Sequence, residues 1–544
     1  MAPRNEAGVP QFTNHPDSTQ NRVTVLDCLA RNARVLGPAA YLTAVDPDGG
    51  EHTLTFAEAE LLSRRLAHWL RAEAGAAPGA VVGLAPANDV SSVLALLALL
   101  RTGATVLLLG PHDPPERTRS QTAPLGVRTV MRSPALPAGE PTPGLPRLLP
   151  IPDIRRETDT REGDRDGRSA IDHAVALTDD ALVFATSGST AASKLVVQSH
   201  LNLVSNAEML TQHHGLRPGD RLLGCLPIHH VNGLHFTVLA PLVAGAHVVL
   251  AHGFDPLAHP RLIDRHRPRI ASVVPSVLDA LLETWRRPRP QERLGYFVTA
   301  AAPLTSSTAR SVAERLQVPI VQGYGLTETT NFATTMPHGL TEELYRRLVL
   351  DEGIPSVGVP LRGTGLVVLR EDGTRAAPGE VGEVCMRGPH VMSRYEGNPE
   401  ATGRAIREGW FHSQDLGRTW RDPASGRTFL TLTGRIKNIA KVGGEAVSLD
   451  EMDRVLRAVP RVRDAACAAL PHRLLGEHVV AAVVLDPGTA TAELEERLAA
   501  VFPAAVLPRR IVTLDAIPRT ATGKVLRPEL ARRLTTDEPP VAGR

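Results

Sequence analysis

Ala181-Leu182-Val183-Phe184-Ala185-Thr186-Ser187-Gly188-Ser189-Thr190-Ala191-Ala192-Ser193-Lys194 is the stretch on which the reading of this chain turns. The run 181–185 is short, apolar and stopped by small turn-forming residues, the pattern of a buried strand. A hydroxyl-rich loop follows it. Ser199 then stands where the N-cap of a helix from about His200 to Gly215 is expected. A strand, a loop of backbone N–H groups and hydroxyls, and then a lysine can hold a polyphosphate without a deep pocket. The chemistry this suggests is ATP handling. The loop lacks the Gly-Lys-Ser/Thr ending of a P-loop, and a Ser/Thr/Gly cluster is also what a solvated turn looks like. The rest of the chain has to decide between the two.

At 544 residues the chain is too long for one compact core, and ordinary domain sizes predict two to four structural units. Sixty Lys and Arg balance 58 Asp and Glu to a formal charge of +2, so nothing in the charge calls for nucleic acid or a membrane surface as partner. Cys28, Cys225, Cys385 and Cys467 lie far apart without metal-ligand or redox spacing and read as buried reduced thiols. Met1-Ala2-Pro3-Arg4-Asn5-Glu6 lacks the apolar core of a signal peptide. The longest apolar stretch, 93–109, is broken by Arg101, Thr102 and Gly103, and so reads as helix, turn and strand, not as a membrane span. A soluble, cytoplasmic protein is expected.

From residue 54 to about 330, amphipathic helices alternate with short apolar strands expected at 81–85, 105–109, 182–186, 247–251, 271–274 and 297–300. Such alternation predicts parallel sheets covered by helices. Residues 133–170 are rich in proline and then in charge, and are expected to form a surface excursion. After Gly358, strand runs with glycine turns at 365–369, 382–386 and 411–435 predict a smaller antiparallel or barrel-like β subdomain. From Gly434 onward a small α+β tail is expected: a helix at 449–459, a strand at 479–485, a helix at 492–501 and a lysine-bearing turn near Gly523, with the last ten residues frayed. The expected division is 1–433 for a large N-terminal domain and 434–544 for a small, mobile C-terminal one.

Two further clusters carry chemistry. In Gln322-Gly323-Tyr324-Gly325-Leu326-Thr327-Glu328-Thr329-Thr330, Gly323 and Gly325 would let backbone approach a ligand. Tyr324 offers a flat face to a base there, and Thr327 with Glu328 offers a hydroxyl and a carboxylate to phosphate and Mg²⁺. In Gly409-Trp410-Phe411-His412-Ser413-Gln414-Asp415, a lone carboxylate after an aromatic strand can accept two ribose hydroxyls. Taken singly, each is equally a tyrosine turn, an aromatic core strand or a surface aspartate.

Joint occurrence in one order changes this. With Gly434-Arg435-Ile436-Lys437-Asn438-Ile439-Ala440-Lys441-Val442-Gly443-Gly444-Glu445 and Pro518-Arg519-Thr520-Ala521-Thr522-Gly523-Lys524-Val525-Leu526-Arg527, the chain resembles the adenylate-forming superfamily of acyl-CoA synthetases, peptide-synthetase adenylation domains and beetle luciferases, in order from about residue 40 to 530. The resemblance implies a two-step reaction: a carboxylate attacks the ATP α-phosphate to give an acyl-adenylate and pyrophosphate, and a thiol then takes the acyl group. It implies that Lys524 neutralises charge in the first step, that Thr327 and Glu328 bind phosphate and Mg²⁺, and that Asp415 holds the ribose. Arg435 would contact ribose or phosphate. Tyr324 would stack on adenine with Ala300, Ala301 and Ala302 as the opposite wall. Thr186, Ser187, Gly188, Ser189, Thr190 and Lys194 become the pyrophosphate grip, Lys437 the hinge of the small domain with Gly443 beyond it, and Lys441 a lysine of the second half-reaction. His230 matches the gate of the acyl site, and His229 reads as a packing neighbour. Where amino-acid-activating members place an aspartate, this chain has Val231, which argues for a plain carboxylic acid.

The thiol is expected to be CoA, with a carrier-protein phosphopantetheine, and so an acyl carrier protein partner, as the alternative. A different nucleophile and a degenerate ATP-binding protein are the further readings. Departures from the family pattern fall at Ala191, Ser193 and Leu195 in the loop, at Gln414 before the ribose carboxylate and at Ala300 and Ala301 in the wall. The loop departures predict weaker or slower use of ATP, not its loss; Gln414 keeps the ribose carboxylate but adds a side chain where glycine is expected, and the wall alanines narrow the floor of the acyl pocket by a methyl each.

Overall fold

The computed structural model describes residues 23–137, 142–153, 175–186, 194–285, 294–489, 491–520 and 523–536. The alternating segment builds two large sheets. The first has seven strands, in the order Arg394–Tyr395, Leu195–Ser199, Asp180–Ala185, Thr105–Leu108, Val81–Ala85, Thr129–Arg132 and Arg147–Pro150. Its five strands from Asp180–Ala185 outward are parallel, and Leu195–Ser199 runs antiparallel between Asp180–Ala185 and Arg394–Tyr395. The second has nine, with the parallel run Ala40–Val45, His247–Ala251, Arg221–Gly224, Ile270–Val273, Tyr296–Thr299 and Ile320–Gly325 at its centre. Two-sided burial is what such near-continuous apolar strands require. The central core joins both sheets through the helices between them: Tyr41 and Val248 pack with Val106, Leu182, Phe56 from Phe56–Glu73 and Leu97 from Val90–Arg101.

The helix after the loop is His200–His214. Ser199 caps it reciprocally with Asn202, and Gly215 ends it in the left-handed conformation at φ 57°. Among its described residues, the excursion expected over 133–170 contains one strand, Arg147–Pro150, paired to the sheet edge; its charged run, 155–168, lies outside the described residues, as do Ala521, Thr522 and 537–544. The antiparallel subdomain is present as Gly365–Leu369, Gly382–Arg387, Ile406–Arg407, Trp410–Arg421 and Thr428–Arg435.

In the smaller C-terminal domain, Val462–His472 and Gly476–Leu485 form a long antiparallel pair flanked by the hairpin Ile439–Val442 and Glu445–Ser448 and by the parallel edge Arg510–Thr513. Helices Leu449–Arg457 and Thr491–Ala499 cover one face of this sheet and Arg527–Thr536 the other. All four cysteines are buried and free, and among the described residues no helix is long and apolar enough to cross a membrane.

Candidate active site

The opening loop is closed at its base. Thr186 donates its N–H to the Lys194 carbonyl at 2.8 Å, and Lys194 donates its own to Thr186 Oγ1 at 3.1 Å. The tip, with Ser187, Gly188, Ser189 and Thr190, lies outside the described residues. The Lys194 ammonium stands 4.5 Å over the ring centroid of Tyr395, a cation–π contact. The Tyr395 hydroxyl donates to Glu328 Oε1 at 2.7 Å, and burial with that carboxylate pushes the phenol up. Tyr395 therefore ties the loop lysine to the carboxylate predicted to face Mg²⁺. Sequence reasoning missed it.

Glu328 sits in the single 3-10 turn Thr327–Thr329, straight after the strand Ile320–Gly325. Its carbonyl accepts Met392 N–H at 2.7 Å. The Thr327 carbonyl accepts Gln198 Nε2 at 3.0 Å, and Gln198 Oε1 lies 2.9 Å from His235 Nε2. A buried amide thus joins the turn to the helix that follows His230. Gly323 and Gly325 have a different reason from the one expected. A Cβ on Gly325 would lie 1.8 Å from the Asn331 carbonyl oxygen, and one on Gly323 would lie 2.8 Å from the Phe332 ring. These glycines admit the returning strand Phe332–Thr335, whatever ligand lies beyond.

Asp415, nearly fully buried, accepts Tyr324 OH on Oδ2 at 2.8 Å and Arg435 Nε on Oδ1 at 2.8 Å. Asp415 and Arg435 are register partners across Trp410–Arg421 and Thr428–Arg435. The Asp415 carboxylate raises the guanidinium pKa, so Arg435 holds its charge. Two residues that replace expected glycines still adopt glycine's backbone: Gln414 at φ 60° and Ala301 at φ 71°. The 414 N–H donates to Glu383 Oε1 at 3.0 Å, which holds that turn.

The C-terminal domain supplies the last piece. Arg519 pairs with both oxygens of Asp464 at 2.6 and 2.8 Å and donates to the Gly523 carbonyl at 2.6 Å. Thr520 closes the turn, donating its N–H to the Lys524 carbonyl at 2.8 Å and accepting the Lys524 N–H on Oγ1 at 3.1 Å. Gly523, at φ 84°, lies so close to the wall that a Cβ there would be 3.7 Å from Ala302 Cβ. Lys524 is thereby delivered among Arg435, Asp415, Glu328 and Lys437, and its pKa is lowered first by burial and then by Arg435. His230 feels the same ammonium: burial, then Lys524, brings its pKa down to about 4, so this imidazole is neutral at pH 7. Lys437 lies in the turn Ile436–Asn438 with its pKa lowered by burial and by Arg435.

The fold therefore brings together Thr186, Lys194, Thr327, Glu328, Tyr324, Asp415, Arg435, Lys437, His230, Ala301 and Lys524. Lys441 is exposed on the hairpin strand, its N–H donating to Glu477 Oε2 at 2.7 Å, and it is not among the charges that weigh most on Lys524. Gly443 makes the left-handed turn of that hairpin at φ 59°. The oxygen and ammonium groups around Glu328, Thr327 and Lys194 suit a nucleotide polyphosphate with a hard cation. The hydrogen-bonded Asp415–Arg435 pair suits a ribose edge.

The sequence profile of the AMP-binding enzyme family matches residues 30–396, and that of the AMP-binding enzyme C-terminal domain matches 451–524. The chain belongs to the AMP-binding enzyme family. It is an acid–thiol ligase working through an acyl-adenylate, with the ATP, Mg²⁺ and CoA on which that family runs. This AMP-binding enzyme is 30% identical over 497 residues to an oxalate–CoA ligase of Arabidopsis thaliana, covering 88% of the present chain and 93% of the relative. It is also 30% identical over 517 residues to a feruloyl-CoA synthase of an Amycolatopsis species, covering 92% and 97%. Its structure matches that of an o-succinylbenzoate CoA synthetase from Bacillus subtilis in complex with its acyl-adenylate, at a TM-score of 0.78 and 25% identity over 92% of the present chain and 97% of the other.

Proposed function

We propose that the chain activates a carboxylic acid without an α-ammonium group and passes it to CoA, with the side chains of the cleft in the following roles. The observation that supports this is Lys524, carried into the cleft among Arg435, Asp415 and Glu328. An ammonium there bridges the incoming carboxylate and the α-phosphate and offsets charge as the new bond forms. Thr327 and Glu328 face phosphate and Mg²⁺, with Glu328 aimed by Tyr395; Asp415 and Arg435 face the ribose. Thr186 and Lys194 anchor the loop that grips pyrophosphate. Neutral His230 closes the acyl side. Val231 packs against the large apolar core, so it offers an ammonium no carboxylate of its own, at a cost of about a few kcal/mol.

Strand pairing persists through Arg435, so the small domain swings from the turn holding Lys437, and Lys441 reaches the cleft only after the swing. We place the enzyme in the cytoplasm, where its four buried thiols stay reduced.

ATP–pyrophosphate exchange across a panel of carboxylic acids tests the reading. Lys524→Ala is expected to lose exchange by several orders of magnitude yet still transfer from supplied acyl-adenylate. Lys441→Ala is expected to do the reverse. Equal damage to both steps in either variant refutes the assignment. Offering CoA or a holo carrier protein to preformed adenylate reads out the acceptor.

A further inference from the structure

The helix that opens two residues after His230 is a π-helix, Asn232–Leu239, a form uncommon in general and frequent at functional sites. Its bonding pattern, seen where Ala240 N–H reaches the His235 carbonyl, brings residues four and five apart onto one face. Asn232 therefore shares a face with Phe236 and Thr237. That face looks onto the nine-stranded sheet: Phe236 packs on Phe332 with ring centroids 5.5 Å apart. Thr237 fills the space over Gly224, where a Cβ would meet its Cγ2 at 2.2 Å and its Oγ1 at 2.9 Å. Gly224 is the register partner of Ser272 on the neighbouring strand.

Asn232, Thr237 and Ser272 are all buried, Asn232 at 8% exposure. Asn232 Oδ1 and Nδ2, Thr237 Oγ1 and Ser272 Oγ have no hydrogen-bond partner among the described residues. Buried polar side chains are normally paired, and these gather in one seam, at the carboxyl ends of parallel strands, where open α/β sheets bind their ligands. The seam begins two residues beyond the imidazole that feels Lys524. His235, in the same helix, is turned away to Gln198.

We propose that this seam receives the end of the acid remote from its reacting carboxylate, and that the acid carries a neutral hydrogen-bonding group there, a hydroxyl or an amide. The inference rests on the ligase reading above. The Asn232 amide offers both donor and acceptor, and the two hydroxyls serve as either. None of the unpaired groups is charged, so a second carboxylate or an ammonium would enter without a counter-ion. Thr237 over Gly224 shuts the seam on that side and keeps the acid compact.

The test uses the full chain and ATP–pyrophosphate exchange with two matched pairs, 4-hydroxybenzoate against benzoate and 3-hydroxybutyrate against butyrate. In at least one pair the hydroxylated acid is expected to show a kcat/KM at least about tenfold above its partner, as one good hydrogen bond provides. Asn232→Leu is expected to bring that ratio close to one. The isosteric Thr237→Val, expected to lower it, keeps the test alive should the leucine variant fail to fold. Equal or better use of benzoate and butyrate, or a preference that survives both substitutions, overturns the proposal and leaves the ligase reading standing. No exchange with any acid overturns the ligase reading, and the proposal falls with it.

Discussion

Tyr395→Phe removes one oxygen from the cleft and leaves its shape intact. The ring under the Lys194 ammonium stays, while the 2.7 Å bond to Glu328 Oε1 is lost. A hydrogen bond to a charged group contributes about 1.5–3 kcal/mol, and every 1.36 kcal/mol is tenfold in rate. If that bond aims Glu328 at the metal, exchange should fall by about 10- to 150-fold, with the loss concentrated in the Mg²⁺ and ATP dependence and not in the KM for the acid. Exchange measured over a Mg²⁺ titration at saturating acid reads this directly. Glu328→Gln alone and combined with Tyr395→Phe completes the cycle, and the double variant should be scarcely worse than Glu328→Gln, because the hydroxyl acts through the carboxylate. An unchanged Mg²⁺ dependence in Tyr395→Phe, or fully additive losses in the double variant, would refute the reasoning.

Lys524 is held below the ordinary lysine pKa of 10.5 by burial and by Arg435, so adenylation should decline as pH rises through that lowered value, measured as an alkaline limb in exchange that Lys524→Arg shifts upward. Stability moves the opposite way there: the unfolded lysine keeps its proton up to 10.5 while the folded one sheds it earlier, so folding gains as pH climbs between the two values; a limb that Lys524→Arg leaves in place would assign it to another group. Gly325→Ala drives a methyl to 1.8 Å from the Asn331 carbonyl and should cost more than roughly 4 kcal/mol; a melting temperature within a few degrees of the parent would show that the two strands part easily. Ala301→Gly releases a left-handed residue at φ 71°, relief of about 1–2 kcal/mol, against about 0.5–1 kcal/mol of added backbone entropy. A small gain in denaturant stability is therefore expected, and a clear loss would contradict it.

The six parallel strands expected over 81–300 lie within two residues of where they form, because runs such as 81–85 and 247–251 are apolar, short and bounded by turn formers, whereas the parallel strands Ala40–Val45, Thr129–Arg132, Arg147–Pro150 and Arg221–Gly224 were not read. Two others that escaped notice lacked that contrast. Val462–His472 is rich in alanine and bounded by charged residues, and Leu195–Ser199 merges with the helix that follows it. Order along the chain pointed to Lys524, Asp415 and Glu328, which the fold brings together. Tyr395 stayed hidden, because what it does arises from pairing with Val196, distant in sequence, and no local pattern records a partner so remote. Gly325 was read for a ligand when its need is the neighbouring strand; composition signals a close approach but not what approaches.

Lys524 and Lys441 belong to one small body, the first seated in the cleft and the second in solvent. If each serves the half-reaction proposed for it, the two chemistries exclude one another in time, since seating one lysine withdraws the other. Such an arrangement works as an escapement: the adenylate is shielded while it forms, a thiol arriving early finds no partner, and the cycle time is bounded below by the travel of a domain. Solvent viscosity should then slow complete turnover while leaving the exchange half-reaction untouched.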